Sequence, residues 1–557
     1  MKDAAAAPAA VPPSRARNAR RPRTPSCFSA TRRRTPGSLS QRFMALLLFQ
    51  SGRAREGPPR LYLDRRRAAT LSLPRGGSTM QARMSRRAFL SGAAAMSTVG
   101  TAGIAAAVEG KSAQPAAGKL PARGEFVIRG AYVMTMDPTV GDIARGDVHV
   151  KAGAIVAVGA DLKAAGAQVI DGRGTIVLPG FVDTHWHMWN TLLRSMAGDK
   201  RELGYFPTVA TLGKVFTPDD MYQGTRLSAA EALSSGFTFV HDWCHNVRGP
   251  DFAVANLRAL KESGLRGRFS YGTPQAHPPT ETIDLVDFER LGRDWKSHAN
   301  GGLLDLGLAW RGMGAAPAPI PPEVYRKEFD TARAAGLPIS VHVANLRSRA
   351  GQVDALAKAN LLGKDVQVIH AIWITPEEIQ SLAAAGSSVS LSPYTELRIG
   401  FGFPRTGELL AGGVTVGLSV DTTVLSGNAD MFAIMKAIQN VENSQTENEF
   451  KLPARRVLEL ATIEGARSMG VADRVGSLKP GKRADLIMVS TRDVNIGVFT
   501  DPAHTLVEAA QPSNVDTVVV DGRILKRRGK LTAFDTGRVV GEASAALTAV
   551  RKRGNWW

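Results

Sequence analysis

Two histidines one residue apart close a short apolar run, Leu178-Pro-Gly-Phe-Val-Asp-Thr-His185-Trp-His187. If the run is a strand, positions i and i+2 face the same way and both imidazoles can reach one ion. Taken alone, the pair fits a solvated turn as well as half of a metal site. Three further runs end in a similar manner: Pro338-Ile-Ser-Val-His342, Val366-Gln-Val-Ile-His370 and Val414-Thr-Val-Gly-Leu-Ser-Val-Asp421. Each finishes on a residue able to bind or serve a metal, and the repetition favours the metal reading.

Such endings need strands to carry them. Eight candidate strands run over 178 to 184, Phe237 to Asp242, Gly267 to Gly272, Leu303 to Trp310, Pro338 to His342, Val366 to His370, Ser387 to Ser392 and Val414 to Asp421. Between them lie segments of helical composition and apolar spacing, such as Pro322 to Ala335 and Thr375 to Ala385. Alternating strands and helices favour a parallel sheet with helices outside, and eight such units predict a closed (β/α)8 TIM barrel, an α/β fold whose chemistry gathers at the C-terminal strand ends. Both flanks are strand-rich instead, with short alternating runs punctuated by glycine. The expected organisation is a barrel over 179–471 and a small flanking β-sandwich built from both chain ends, 124–178 and 472–535, followed by a tail over 536–557.

The 557 residues carry a net charge of +20. Residues 1 to 110 hold 20 basic and 4 acidic side chains, so the remainder, with 50 basic and 46 acidic, is close to neutral. Nothing in the body asks for nucleic acid or another polyanion. Residues 1–83, rich in Arg, Pro, Ala and Ser, read as a disordered leader. Over 84–107, Met84-Ser-Arg86-Arg87-Ala-Phe-Leu90 opens an apolar, small-residue run that ends at Ala105-Ala-Ala107. These are the parts of a secretion signal, and the order resembles the bacterial twin-arginine signal. Met84 is then expected to be the initiator, with a linker over 108–123, the twin-arginine export machinery as a partner and a periplasmic or secreted product; with residues 1–83 present, the cytoplasm is expected. The run is too polar for a stable membrane span. Two cysteines, Cys27 and Cys244, exclude a Cys-rich zinc site.

Taken in order, the runs resemble the amidohydrolase superfamily, in the branch of cytosine deaminase and triazine hydrolase, over about residues 124 to 535. The carriers are Pro179-Gly-Phe-Val-Asp-Thr-His185-Trp-His187, Glu231-Ala-Leu-Ser-Ser-Gly-Phe-Thr-Phe-Val, His342, His370, Gly417-Leu-Ser-Val-Asp421, Ala461-Thr-Ile-Glu-Gly-Ala466 and Gly476-Ser-Leu-Lys-Pro-Gly-Lys-Arg-Ala-Asp485-Leu. The resemblance implies that His185, His187, His342 and Asp421 hold one divalent ion and that His370 stands beside it. Three imidazoles and a carboxylate suit Zn²⁺ or Fe²⁺ over Mg²⁺ or Ca²⁺. Members with two metals carry a bridging Lys on strand four; Leu303-Leu-Asp-Leu-Gly-Leu-Ala-Trp310 has none, so one ion is expected. A bound divalent ion lowers the pKa of water to about 7. Asp421 is then expected to take the proton and His370 to orient the water or stabilise the oxyanion, in a hydrolysis at an sp² carbon.

One departure stands out. Deaminases of this branch place Glu three residues after the strand-five His, whereas this chain reads His342-Val-Ala-Asn345. An Asn amide exchanges no proton near neutral pH. Glu396, in Ser392-Pro-Tyr-Thr-Glu396-Leu-Arg398, could supply a carboxylate to the substrate or pair with Arg398. Asp242, Trp243 and His245 open onto the expected mouth, as pocket lining or as a polar cluster under the rim. Trp186, Trp189, Trp310 and Trp373 could stack on a flat ring or fill the core. Arg311 could bind a substrate carboxylate or form an ion pair.

The expected function is metal-dependent hydrolysis of a non-peptide carbon–nitrogen bond in a small molecule: a cyclic or aromatic amide, urea or heterocycle. An aminohydrolase or dechlorinase acting on an amino-heterocycle is the alternative, and a catalytically silent binding protein ranks below both, since all four ligands are present. A homo-oligomer is compatible with the sequence.

Overall fold

A computed structural model describes residues 120–315 and 318–556. The leader, the twin-arginine-type signal and most of the linker lie outside the described residues. Eight parallel strands follow one another around the centre: β1 (Phe181–Val182), β2 (Phe237–Cys244), β3 (Arg266–Tyr271), β4 (Leu304–Trp310), β5 (Ile339–Val343), β6 (Val366–His370), β7 (Ser388–Leu391) and β8 (Val416–Leu418), each beside the next. The ends meet through Trp186, just after β1, which bridges in parallel to Asp242 in β2 and to Asp421 beyond β8. This is the expected barrel.

The reasons are local. All eight positions of β2 are buried, as in a parallel strand covered on both faces. The helix Pro218–Ser235 starts where Thr217 and Asp220 form a reciprocal cap and stops at Gly236, whose φ of 95° is left-handed. The same devices bound Pro376–Ala385, with Thr375 capped reciprocally by Glu378 of the first turn and Gly386 after the last.

The strand-rich flanks join into one branched sheet of nine strands, in which Phe126–Val133 pairs with three neighbours and Thr175–Pro179 runs antiparallel to Leu486–Ser490. Phe126, Ile128, Val148, Leu486 and Met488 belong to a core of its own. The run expected as one strand over 178 to 184 is thus two: Leu178 and Pro179 end a flank strand, and Phe181 opens the barrel. A Cβ on the intervening Gly180 would collide with Thr238, so the crossing requires glycine. Strand eight is also shorter than expected, since it ends at Leu418 and Asp421 lies beyond it.

The expected tail contains an 18-residue helix, Thr536–Arg553, capped by Asp535. Val539, Ala543, Ala546 and Val550 make its buried stripe, and Arg226 on Pro218–Ser235 pairs with its Glu542. A buried ion pair, Arg266 on β3 to Asp485 at 2.7 Å, ties the barrel to the flanking sheet. Among the described residues no helix is long and apolar enough to cross a membrane.

Lys526, 3% exposed, donates its ammonium to Ser234 O, and burial pushes its pKa from 10.5 down to about 8. Between those values the unfolded chain binds the extra proton, so this group makes stability rise with pH there. Relative to Lys526→Met, the parent protein should gain up to about 1.4 kcal/mol per pH unit between pH 8 and 10.5 in denaturant unfolding. Parallel stability curves for the two proteins would contradict a depressed ammonium.

Candidate metal centre and active site

The histidine pair is held from both sides by backbone. On one side Trp186 N–H donates to His241 O and Trp243 N–H to Trp186 O, both at 2.8 Å. On the other, His187 N–H donates to Asp421 O at 2.6 Å and Asp421 N–H to His185 O at 2.9 Å. Beneath the pair, buried Asp183 accepts from His185 N–H at 3.1 Å and Val420 N–H at 2.7 Å, so one carboxyl group ties the first strand to the last. Asp421 (φ 60°) and His370 (φ 75°) have left-handed backbones, a conformation that costs non-glycine residues on the order of 1–3 kcal/mol and clusters at functional sites.

Four side chains converge there as the resemblance implied. Single ligand atoms from His185, His187, His342 and Asp421 all lie within 4.8 Å of one another. His185 Nε2 is 3.2 Å from both His342 Nε2 and Asp421 Oδ1, and His187 Nε2 is 3.3 Å from Asp421 Oδ1. Tetrahedral coordination at about 2.05 Å places donor atoms about 3.3 Å apart, so the set fits a zinc-sized ion. Tautomers agree. His187 Nδ1 is 3.0 Å from Trp243 O, a carbonyl that can only accept, so Nδ1 carries the proton and Nε2 presents its lone pair. Burial, and then the neighbouring imidazoles, hold His185, His187 and His342 well below the usual histidine range, in the neutral form that binds metal.

The ligands face a cavity of about 450 Å³. His370 lies at its edge, with Nε2 4.0 Å from Asp421 Oδ2. Trp243, Trp310 and Phe401 supply aromatic wall, and Phe401 meets the His370 ring edge-on at 5.3 Å. His245 and Asn345 line the cavity as expected. Burial pushes His245 down to about 4, and its Nδ1 accepts from Trp189 Nε1 at 3.4 Å, so the ring is neutral and its other nitrogen carries the proton.

One expectation needs correction, and one open alternative is decided. Glu396 does not line the cavity and does not pair with Arg398, which reaches Ala197 O. It is fully buried: its Oε1 accepts from Ser392 N–H at 2.8 Å and from His370 Nδ1 at 3.1 Å. The backbone turn after β7 aims it inward at a histidine distant in sequence. Arg311 does reach the wall, but it is paired with buried Glu328 at 2.7 Å and bonded to Pro278 O at 2.9 Å, which leaves it no fork for a ligand. Of the four tryptophans, only Trp310 lines this cavity; Trp186 and Trp189 are buried outside it, and Trp373 lies under Arg347. Sequence reasoning missed Arg349, seven residues after His342 on the loop that also carries Asn345. The signal available was the Arg347-Ser-Arg349 cluster behind a strand that ends at the site.

Barrel, ligand quartet and cavity together define a metal-dependent hydrolase with a mononuclear divalent-metal site. Residues 176–525 match the model of the amidohydrolase family, and the chain belongs to that family. It is an enzyme acting on carbon–nitrogen bonds other than peptide bonds. It is similar to a 5'-deoxyadenosine deaminase of Methanosarcina mazei, 31% identical over 447 residues that cover 77% of this chain and 99% of that protein. It is also similar to a 5-methylthioadenosine/S-adenosylhomocysteine deaminase of Desulforamulus reducens, 30% identical over 75% of this chain and 97% of that one. Among solved structures, an adenosine deaminase from Xanthomonas campestris with bound zinc superposes with a TM-score of 0.69 at 22% identity, covering 78% of this chain and all of that one. The zinc complex of an atrazine chlorohydrolase from Arthrobacter aurescens TC1 gives 0.66 at 23% identity, covering 76% and all of that chain.

Elemental analysis of the purified protein should find about one Zn or Fe per chain. His185→Ala should lose most of it while keeping its circular dichroism spectrum. Unchanged metal in that variant would exclude this ligand set.

Proposed function

We propose that the protein is a zinc-dependent hydrolase of a cyclic or aromatic amide, a urea or a related nitrogen heterocycle. The observation that carries the reading is the ligand quartet facing an aromatic-walled cavity, with His370 held beside it by a buried carboxylate. Zinc is favoured by three imidazoles and one carboxylate in tetrahedral spacing, and two similar structures were solved with zinc. Held by His185, His187, His342 and Asp421, such an ion would make hydroxide available at neutral pH by lowering the pKa of water.

The chain's own residues handle the protons. Asp421 Oδ2 and His370 Nε2, 4.0 Å apart, are spaced to pass a proton through a group held between them. Glu396 accepts from His370 Nδ1–H, which fixes the tautomer and leaves the Nε2 lone pair as acceptor. In this reading Glu396 is a positioning residue, and the His370–Glu396 pair takes the place of the carboxylate that related deaminases carry where this chain has Asn345. Trp243, Trp310 and Phe401 keep the reacting group dry and offer flat faces to a ring.

A second reading, release of ammonia from an amino-heterocycle, is favoured by the near-complete coverage of the 5'-deoxyadenosine deaminase from Methanosarcina mazei. Incubation with cyclic amides, ureas and amino-heterocycles separates the two: a ring-opened or amide-cleaved product supports the first, and stoichiometric ammonia with an intact ring supports the second. No turnover by zinc-loaded protein across the whole panel would refute both.

On the best substrate, Glu396→Gln should lower kcat by about 10- to 100-fold, leave metal content unchanged and shift the acidic limb of the pH profile. An unchanged kcat would remove Glu396 from the proton path.

Export by the twin-arginine machinery to the periplasm belongs to the same proposal and rests on Ser85-Arg-Arg-Ala-Phe-Leu90 and the apolar run behind it. N-terminal mapping of protein from its native cell should find Val108. Mature protein that retains Arg86 and Arg87 would argue against export.

A further inference from the structure

One charge in the cavity wall has no counter-ion. The formally charged residues lining the cavity are Arg311, Arg349 and Asp421. Arg311 is neutralised by Glu328, and Asp421 belongs to the metal ligands. Arg349 is half-buried on the short helix Arg347–Arg349 that follows β5. Its neighbour Arg347 is occupied over the Trp373 ring, 4.0 Å from the centroid. The contact Arg349 makes is a long one, from one guanidinium nitrogen to Asn345 Oδ1 at 3.4 Å, and among the described residues no carboxylate pairs with it. Its charge is felt at His342, where it helps to hold the imidazole neutral.

A guanidinium taken partly out of water is costly to leave unpaired, and among the described residues no carboxylate supplies the pairing it lacks. Asn345 makes the difference. A carboxylate at position 345 would meet Arg349 four residues on and cancel it. The amide oxygen of Asn345 steadies the guanidinium without neutralising it, so the charge stays available to the cavity. A bound divalent ion adds further positive charge to the same space. The cavity of about 450 Å³ is large enough for a bicyclic ring bearing a small substituent.

We propose that Arg349, steadied by Asn345, binds a carboxylate of the substrate, so that the molecule hydrolysed is a planar amide or heterocycle carrying an anionic group away from the bond that is cleaved. The word substrate rests on the hydrolase reading above; the anion site does not. The guanidinium fork matches a carboxylate in a two-bond arrangement, which a neutral amide of the same shape cannot reproduce.

The test uses the full chain freed of metal by chelation, so that a carboxylate has no ion to bind, and titrates it calorimetrically with 2-naphthoate and with 2-naphthamide. Naphthoate should bind at least about tenfold more tightly, a preference that narrows with added salt. Arg349→Gln should bring naphthoate down to the affinity of naphthamide and leave naphthamide unmoved, while Arg349→Lys keeps part of the difference. Asn345→Asp should abolish the preference with Arg349 intact, which covers the case of a poorly folded Arg349 variant. Absence of naphthoate binding, equal affinities in the parent chain, or a preference that survives both Arg349→Gln and Asn345→Asp would overturn the proposal. The hydrolase reading fails separately: a chain with the preference that turns over nothing keeps the anion site and loses the reaction, and a chain that hydrolyses neutral amides without the preference does the reverse.

Discussion

The seam at which the first barrel strand meets the last is the constraint on which the site depends. Thr184 N–H donates to Leu418 O at 3.1 Å, and the reciprocal bonds between His185, His187 and Asp421 continue the ladder past both strands. Because side chains alternate along extended chain, a slip of one residue would turn His185 and His187 away from Asp421 and take the ligand set apart. The seam is tight as well: a Cβ on Gly417 would run into Thr184, so glycine is needed for this approach. Barrel closure and assembly of the metal site are one event, and the free energy of the first supports the strained backbone of the second.

Burial then dictates the chemistry of what the seam assembles. Two neutral imidazole nitrogens at 3.2 Å, His185 Nε2 and His342 Nε2, are unfavourable unless a proton or a cation lies between them. One neutral ring can donate to the other across this distance, whereas a divalent cation would take the lone pairs of both in the neutral form that burial favours. Around this core three polar groups are steadied from further out: Trp243 O holds His187, Glu396 holds His370, and Glu328 holds Arg311. A mobile imidazole would broaden the donor geometry, and these partners prevent it.

The metal ligands were legible in the sequence because period-two alternation and barrel topology bring the C-terminal ends of strands together, and His342 lies at such an end while His185, His187 and Asp421 follow just beyond one. Boundaries were less so. Leu178 to Thr184 reads as one strand because nothing in its composition marks the passage from flank sheet to barrel except Gly180, whose need arises from Thr238, far along the chain. Glu396 was misplaced, and the choice for Arg311 between a ligand and an ion pair stayed open, for a related reason: their partners, His370 and Glu328, are set by tertiary packing and leave no local pattern. The helix Thr536–Arg553 was expected only as a tail, although Asp535 and the spacing of Val539, Ala543, Ala546 and Val550 offered a cap and a stripe.

The distribution of charge around the metal separates this active site from the arrangement its resemblance implies. There a carboxylate follows the strand-five histidine, where it can both move a proton and neutralise a nearby cation. Here the carboxylate follows β7 as Glu396, behind His370 and out of the cavity, and position 345 is an amide. Two consequences are linked. His370, beside the ligand quartet, has a buried carboxylate at its back that fixes the orientation of its ring. The guanidinium of Arg349 is left uncancelled within reach of a ligand. The amide at position 345 and the carboxylate turned behind His370 together leave the cavity wall positive at Arg349.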